Sequence, residues 1–475
     1  MRTDLFIGGT WRGGSGGDRI DVLDPSTGQV LEQVASGTAA DATAAVQAAA
    51  DAQPRWAARP PRERAELLRG CWQTMQDHRE ELAQLMVAEN GKPIRDARGE
   101  VDYAAEFFRW NAEETVRIRG TLATAPSGSN RILVHHPPVG VVVMVTPWNF
   151  PAAMMTRKLA PALGAGNGVV VKPARATPLT ALRLAELFAE VGLPDGILNV
   201  VPTSDSGAWF DAAVDHPATR MVSFTGSTEV GRVLLRRSAD RVLKTVMELG
   251  GNAPFIVFDD ADLDAAVEGA MLAKMRHSAE TCTAANRFYA QAGIADEFTE
   301  RLAEAMGDLV VGDGRDEDVT CGPMIDTDAV DDLERLVGAA TGAGARVLLG
   351  GARMDRDGFF FEPTVLGRVE HSSPIAHEEI FGPVAPVIPF TDVDAMVTQA
   401  NDTERGLTGY VFTDDLERGL AVSERIQAGM IGLNRGLVSD PAAPFGGMKQ
   451  SGLGREGSTD GIYEFCETQY IATEW

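Results

Sequence analysis

The sequence predicts an α/β protein made of two parallel-sheet lobes with a cleft between them. Three observations lead there. The chain has 475 residues, which at about 150 residues per domain implies two or three domains. From residue 140 onward, short apolar strands alternate with helices of about 10–15 residues, the pattern of a parallel sheet covered on both faces. Near Met247 a strand-like run ends in Gly250-Gly251 and separates two such stretches, and a cleft between lobes is where ligands bind.

The elements follow in chain order. The first hundred residues read mainly as helix, beginning with an Ala-rich helix at 39–52. Pro61–Asn90 keeps Leu67, Leu68, Trp72, Met75, Leu82, Leu85 and Met86 at helical spacing and stops at Gly91 and Pro93. A further helical run covers 94–114. Residues 116–138 combine VRIRGTLATAP, a Ser/Gly turn and NRILVHH, two extended arms of a hairpin. Val141–Val145 is a β-branched run, 152–163 is helical, Val169–Val171 is strand and 178–190 is helix. Ile197–Val201 and Met221–Phe224 are strands, the second leading into a helix at 227–237. The second α/β stretch runs from Phe255 to about 435, with strands at 287–291, 346–349 and 409–412. The terminal segment Gly461–Trp475 reads as strand.

Composition narrows the function. Hydrophobic residues at 44% and charged residues at 23% exclude a disordered or disulfide-scaffold chain. With 43 basic and 68 acidic residues the net charge is −25, a surface that repels nucleic-acid phosphates and anionic lipid. Any anionic substrate must therefore meet local positive charge. Cys71, Cys282, Cys321 and Cys466 lie far apart and form no CxxC pair, so neither a metal site nor a disulfide framework is expected and a reducing compartment is implied. The start, MRTDLFIGGTWRGG, lacks the apolar stretch of a signal peptide, and no window of eighteen apolar residues occurs. A soluble, cytoplasmic protein is expected.

Three places carry candidate chemistry. Phe224-Thr225-Gly226-Ser227-Thr228-Glu229-Val230-Gly231 sits at a strand-to-helix turn, where glycine lets backbone approach a pyrophosphate and free helix N–H groups attract it. Its G-x-x-x-x-G spacing is not the usual dinucleotide pattern, and a plain turn glycine explains it equally well. Cys282 lies among small polar neighbours in Ala279-Glu280-Thr281-Cys282-Thr283-Ala284-Ala285-Asn286-Arg287, which suits an accessible thiol, although a lone cysteine is more often a buried small hydrophobe. Glu248, at a strand end before Leu249-Gly250-Gly251-Asn252, is either a cleft carboxylate or a cap. His277 reads as a surface residue.

These stretches combine with Thr146-Pro147-Trp148-Asn149-Phe150-Pro151, Val171-Lys172-Pro173-Ala174, Glu379-Ile380-Phe381-Gly382-Pro383 and Pro444-Phe445-Gly446-Gly447. Together they resemble the aldehyde dehydrogenase superfamily over essentially the whole chain. The resemblance implies Rossmann-like lobes: a cofactor-binding domain at 1–115 and 139–247, and a catalytic domain at 248–435. It implies an oligomerisation element at 116–138 and 456–475, hence a homodimer or homotetramer. It makes Cys282 the nucleophile, Asn149 and the Cys282 N–H the oxyanion donors, and Glu248 the base that activates water. Trp148, Gly226 and Ser227 would contact the cofactor's pyrophosphate side, Lys172 its adenosine ribose, and Glu379 and Phe381 its nicotinamide end. Where many NAD-dependent members carry a glutamate three residues after the lysine, this chain has Arg175. A guanidinium pairs with a 2′-phosphate and offers no acceptor to a ribose hydroxyl, so NADP is expected to be preferred over NAD; the alternative is an Arg175 turned to solvent.

Within the family the resemblance narrows to succinate-semialdehyde dehydrogenases, through Met154-Met155-Thr156-Arg157-Lys158, Gly436-Leu437-Val438-Ser439 and Lys449-Gln450-Ser451-Gly452-Leu453-Gly454-Arg455-Glu456-Gly457. It assigns Arg157, Arg276 and Ser439 to the substrate's distal carboxylate, a group that needs charge-assisted partners when buried. Arg435 reads as a surface ion pair. Two departures stand out: Ala279-Glu280 replaces the usual Gly-Gln, adding a negative charge near the nucleophile, and Ala284 stands where some members have a second cysteine. Cys71, Cys321 and Cys466 are expected to be structural. The alternatives are a glutarate-semialdehyde or neutral-aldehyde dehydrogenase, an inactive family member with a binding role, and a cofactor-free cysteine hydrolase.

Overall fold

The computed structural model describes residues 2–474. Its first large sheet has the strand order Thr10–Arg12, Leu5–Ile7, Leu198–Val200, Gly168–Lys172, Val141–Val145, Thr219–Thr225, Lys244–Glu248 and Gly452–Leu453. The five inner strands are parallel, and an antiparallel strand borders them on each side. All five residues of Val141–Val145 are buried, which is why this strand is a continuous β-branched run rather than an alternating one. Numbered along the chain, the parallel strands lie 3-2-1-4-5, so the order reverses between Val141–Val145 and Thr219–Thr225. Open parallel sheets bind ligands at such a reversal, beyond the carboxyl ends of the strands. The loops leaving those two ends hold Trp148-Asn149 and Gly226-Ser227.

The second sheet runs Arg346–Leu349, Thr364–Gly367, Val384–Phe390, Ala285–Gln291, Ala253–Val257, Thr408–Phe412 and Met430–Leu433. It is parallel except at the Arg346–Leu349 edge. The chain crosses between the sheets in the four residues from Leu249 to Asn252, at the Gly-Gly that the sequence marked. Thr121–Thr124 and Arg131–His135 form the expected hairpin, and Gln469–Thr473 pairs antiparallel with its second arm.

The expectation of a mainly helical first hundred residues is wrong over the first thirty-five. Leu5–Ile7, Thr10–Arg12, Arg19–Asp24 and Gln29–Ala35 are strands. The first two are too short to show alternation and Gln29–Ala35 is largely exposed, whereas Arg19–Asp24 alternates with Ile20 and Val22 buried, a strand signal the helical expectation missed. The predicted helix at 61–90 is two helices, Pro61–Asp77 and Arg79–Asn90, because His78 between them has φ −106° and ψ 21°. Among the described residues no helix is long and apolar enough to cross a membrane.

Candidate active site

A cleft of about 590 Å³ is lined by Trp148 and Asn149, by Gly226 and Ser227, by Cys282, and by Glu379, Phe381 and Arg405. The residues expected at the cofactor's pyrophosphate and nicotinamide ends thus share one cavity with the expected nucleophile. Ser227 caps the helix Thr228–Ala239, its hydroxyl accepting from Val230 N at 3.3 Å. The Trp148 and Phe381 rings meet edge to face with centroids 5.4 Å apart. Glu379 accepts from Gly251 N at 3.1 Å and lies 3.4 Å from Arg405 Nη1. Arg405 was not singled out from the sequence; its distance from Glu379 along the chain concealed the pairing. A side chain at Gly226 would strike the Phe224 ring, its Cβ coming within 2.5 Å, so this glycine serves local packing as well as an open turn.

Lys172 and Arg175 do not line this cavity. Lys172 is buried, donates to Pro173 O at 3.2 Å, and burial brings its pKa down to about 8. Arg175 is exposed, and no partner holds its guanidinium among the described residues.

Cys282 is a half-buried free thiol. Burial pushes its pKa up to about 12, opposed by Arg157 and Arg276 and reinforced by Glu379 and Glu248. Its backbone N–H has no intramolecular acceptor among the described residues. Asn149 is buried, and its Nδ2 donates to Glu280 O at 2.9 Å, which leaves the second N–H of that amide free. Gly251 must be glycine here, since a Cβ would come 2.4 Å from Cys282 O.

Glu248 ends the strand Lys244–Glu248, buried, with neither carboxylate oxygen hydrogen-bonded among the described residues. It does not line this cleft. Burial raises its pKa well above the ordinary value, and Glu456 raises it further, while Arg157, Lys158 and Arg455 pull it down. Glu456 is the centre of a buried cluster: its Oε2 lies 2.8 Å from Arg157 Nε and its Oε1 accepts from Lys158 Nζ. Glu456 and Lys158 appeared only inside quoted motifs, because nothing local to either residue reveals a contact across 298 positions.

The three residues expected around the substrate carboxylate are not equivalent. Arg276 and Ser439 line a separate cavity of about 250 Å³ together with Tyr103, Phe150 and His277. Arg157 is absent from that lining; it is fully buried, paired with Glu456, and covered by the Phe445 ring at 3.8 Å. Arg157 Nη2, Arg276 Nε and Tyr103 Oη are nevertheless buried without hydrogen-bond partners among the described residues. Arg435 is exposed as expected, donating to Leu437 O at 2.7 Å rather than to a carboxylate.

Two expectations need correction. His277 is buried, not superficial: its ring stacks on Phe150 at 3.9 Å, and its backbone N–H reaches Asp96 at 2.8 Å. The helix Leu263–Met275 stops just before it, and His277, Ser278 and Ala279 all take positive φ, so helical phase no longer applies. Glu280 does not aim its carboxyl at Cys282: it accepts from Ile325 N at 3.0 Å, and burial raises its pKa well above the ordinary value. Cys71, Cys321 and Cys466 are buried free thiols.

A two-lobed sheet protein with a thiol in the cleft at the strand reversal is the architecture of an aldehyde-oxidising dehydrogenase, and the comparisons agree. The aldehyde dehydrogenase family model matches residues 11–471, and the chain belongs to that family. It is 52% identical to succinate-semialdehyde dehydrogenase of Paenarthrobacter nicotinovorans over 93% of this chain and 98% of that one. It is 44% identical to glutarate-semialdehyde dehydrogenase of Pseudomonas aeruginosa, covering 99% and 97% of the two chains. The crystal structure of an E. coli NADP dependent enzyme superposes with a TM-score of 0.98 at 46% identity, over 100% and 98% of the chains.

Proposed function

We propose that this enzyme oxidises an acidic semialdehyde, succinate semialdehyde first among them, to the dicarboxylate with NADP. The observation that carries this reading is the set of buried donors near the thiol. Arg157 and Arg276 both act electrostatically on Cys282, and each keeps a buried N–H without an acceptor. Leaving such groups unpaired is costly, and a carboxylate satisfies them with charge-assisted hydrogen bonds. In a chain of net charge −25, these two guanidiniums with free N–H groups suit an anionic substrate group.

Cys282 gives its thiol proton to solvent, with Arg157 and Arg276 favouring the thiolate, and attacks the aldehyde carbon: a C–S bond forms and the carbonyl pair moves to oxygen. The free N–H of Asn149 and the Cys282 backbone N–H hold that oxyanion, each donor contributing about 3 kcal/mol. Trp148, Phe381 and Glu379 would hold the nicotinamide end of the cofactor, which would supply the hydride acceptor needed to bring the thiohemiacetal to the thioester. Glu248 takes a proton from water, hydroxide adds to the thioester, and the C–S bond breaks to return the thiolate. The raised pKa of Glu248 suits a base that works near neutrality. Arg175, exposed and unpaired, fits a 2′-phosphate, with Lys172 on the ribose.

Assembly into a homodimer or homotetramer belongs to the same reading. The three-stranded sheet ends in an unpaired strand, Thr121–Thr124, and exposes Leu122, Tyr470 and Ile471, an edge suited to a second copy. Glutarate semialdehyde is the second substrate reading, favoured by the Pseudomonas relative. Initial rates with succinate semialdehyde, glutarate semialdehyde and hexanal, each with NADP and NAD, test the proposal. The largest kcat/KM is expected for succinate semialdehyde with NADP, and a preference for hexanal overturns it.

A further inference from the structure

Outside the proposed catalytic centre, the second sheet carries a side-chain cluster of a different chemistry. His371 lies in the loop after Thr364–Gly367, His377 follows the short helix Pro374–Ala376, and Asp402 follows the helix Val393–Asn401. His371 Nε2 is 3.1 Å from Asp402 Oδ2, and the two imidazole centroids are 4.9 Å apart. One ligand atom from each residue lies within 4.8 Å of the others. We propose that His371, His377 and Asp402 form a binding site for a borderline divalent transition metal of the Zn²⁺ class at the mouth of the cofactor cleft.

The donor set decides the kind of ion. Two imidazoles and one carboxylate suit Zn²⁺ and its neighbours rather than Mg²⁺ or Ca²⁺, which take mostly oxygen ligands. Bonds of about 2.0–2.1 Å in a tetrahedral site put ligand atoms about 3.4 Å apart. The His371–Asp402 separation is already near that figure. His377 and Asp402 are both exposed, so side-chain rotation brings the third ligand in without disturbing packing, and water completes the shell. His371 is the anchored member, half-buried with Nδ1 3.3 Å from Tyr289 Oη, and Tyr289 is itself contacted by Arg287 Nη1 at 3.4 Å. A ligating histidine ordinarily has its second ring nitrogen held in this way.

The surroundings favour a cation and give it a consequence. A cavity of about 550 Å³ includes His377, Asp402, Glu404 and Glu229 in its walls. Its arginines are engaged, Arg405 with Glu379 and Arg232 with Glu404. Lys449 is held by the carbonyls of Asn401 and Thr403 at 3.1 and 2.6 Å. His377 also lines the cofactor cleft, two residues from Glu379. A bound ion therefore ties the 371–379 segment to the end of the helix Val393–Asn401 and adds positive charge at the nucleotide's door. Sequence reading expected no metal because it weighed only cysteine spacing, and these three ligands have none to offer.

The test is direct binding to the full-length protein, with no turnover involved. The chelator-stripped enzyme is titrated with zinc chloride by calorimetry, alongside His377→Ala and Asp402→Asn, two exposed positions whose folding is checked by circular dichroism. One equivalent is expected to bind, and either variant is expected to weaken it about tenfold or more. Cobalt chloride should give visible ligand-field bands without the near-ultraviolet charge-transfer band of a thiolate. Unchanged affinity in both variants, a thiolate band placing the ion on Cys282, or no binding heat would each overturn the proposal.

Discussion

Arg157 Nε lies 2.8 Å from Glu456 Oε2, with both side chains buried and Lys158 on the other carboxylate oxygen. Two cations therefore share one carboxylate, and the same carboxylate raises the pKa of Glu248. On the proposed reading, binding of an acidic substrate and activation of water meet in this cluster.

Breaking the cluster should show in both stability and catalysis. Glu456→Gln leaves Arg157 and Lys158 buried without their counter-charge, a loss typically of about 3–5 kcal/mol. Urea unfolding reads it directly. Without the Glu456 charge, Glu248 titrates at lower pH, so the acid limb of the kcat/KM profile should move down. An unmoved limb would separate Glu456 from the base.

In the wild-type enzyme that limb should lie above the ordinary carboxylate value of 4.5, because the working form of Glu248 is the anion and burial opposes it. The rate should rise with pH through the raised value. Glu248→Gln should abolish the limb and lower steady-state turnover by about a hundredfold or more. Thioester formation should survive as a single-turnover burst of NADPH.

Glu280 bears on stability instead. Its folded pKa is raised by burial, so its contribution to stability is complete below the unfolded carboxylate value and is lost as pH rises through the folded one. Glu280→Gln keeps an acceptor for Ile325 N and removes the ionisation. The variant should therefore gain Tm relative to wild type at alkaline pH and not in mild acid. Parallel thermal melts across pH check this.

The proposed preference for NADP rests on Arg175. A charge-assisted hydrogen bond is worth about 1.5–3 kcal/mol, so Arg175→Ala should raise KM for NADP about ten- to a hundredfold and leave KM for NAD nearly unchanged. Equal effects on both nucleotides would remove the 2′-phosphate from its role.

The features visible in the sequence were those with a local signature. Val141–Val145 is buried throughout and is therefore a continuous apolar run, and Gly250-Gly251 marks the passage between sheets. Cys282 stands out by its small polar neighbours, whereas Asn149 and Glu379 are assigned only through motifs resembling the aldehyde dehydrogenase family. The remainder depended on distance. Leu5–Ile7 is three residues long and gains its place by pairing with Thr10–Arg12 and with Val200. His277 escaped because three successive residues of positive φ cancel helical phase. Arg157 is assigned to a substrate carboxylate by family resemblance, but its partner Glu456 lies at the far end of the chain.

The most direct test of the central claim compares Arg276→Ala with wild type on succinate semialdehyde and hexanal, with NADP saturating. Arg276 is the better probe than Arg157, whose loss also disturbs Glu456. The account predicts a fall in kcat/KM of about ten- to a hundredfold for succinate semialdehyde, carried by KM, with hexanal nearly unaffected. An equal fall for both aldehydes would contradict it, leaving Arg276 a structural residue and the enzyme without a carboxylate pocket.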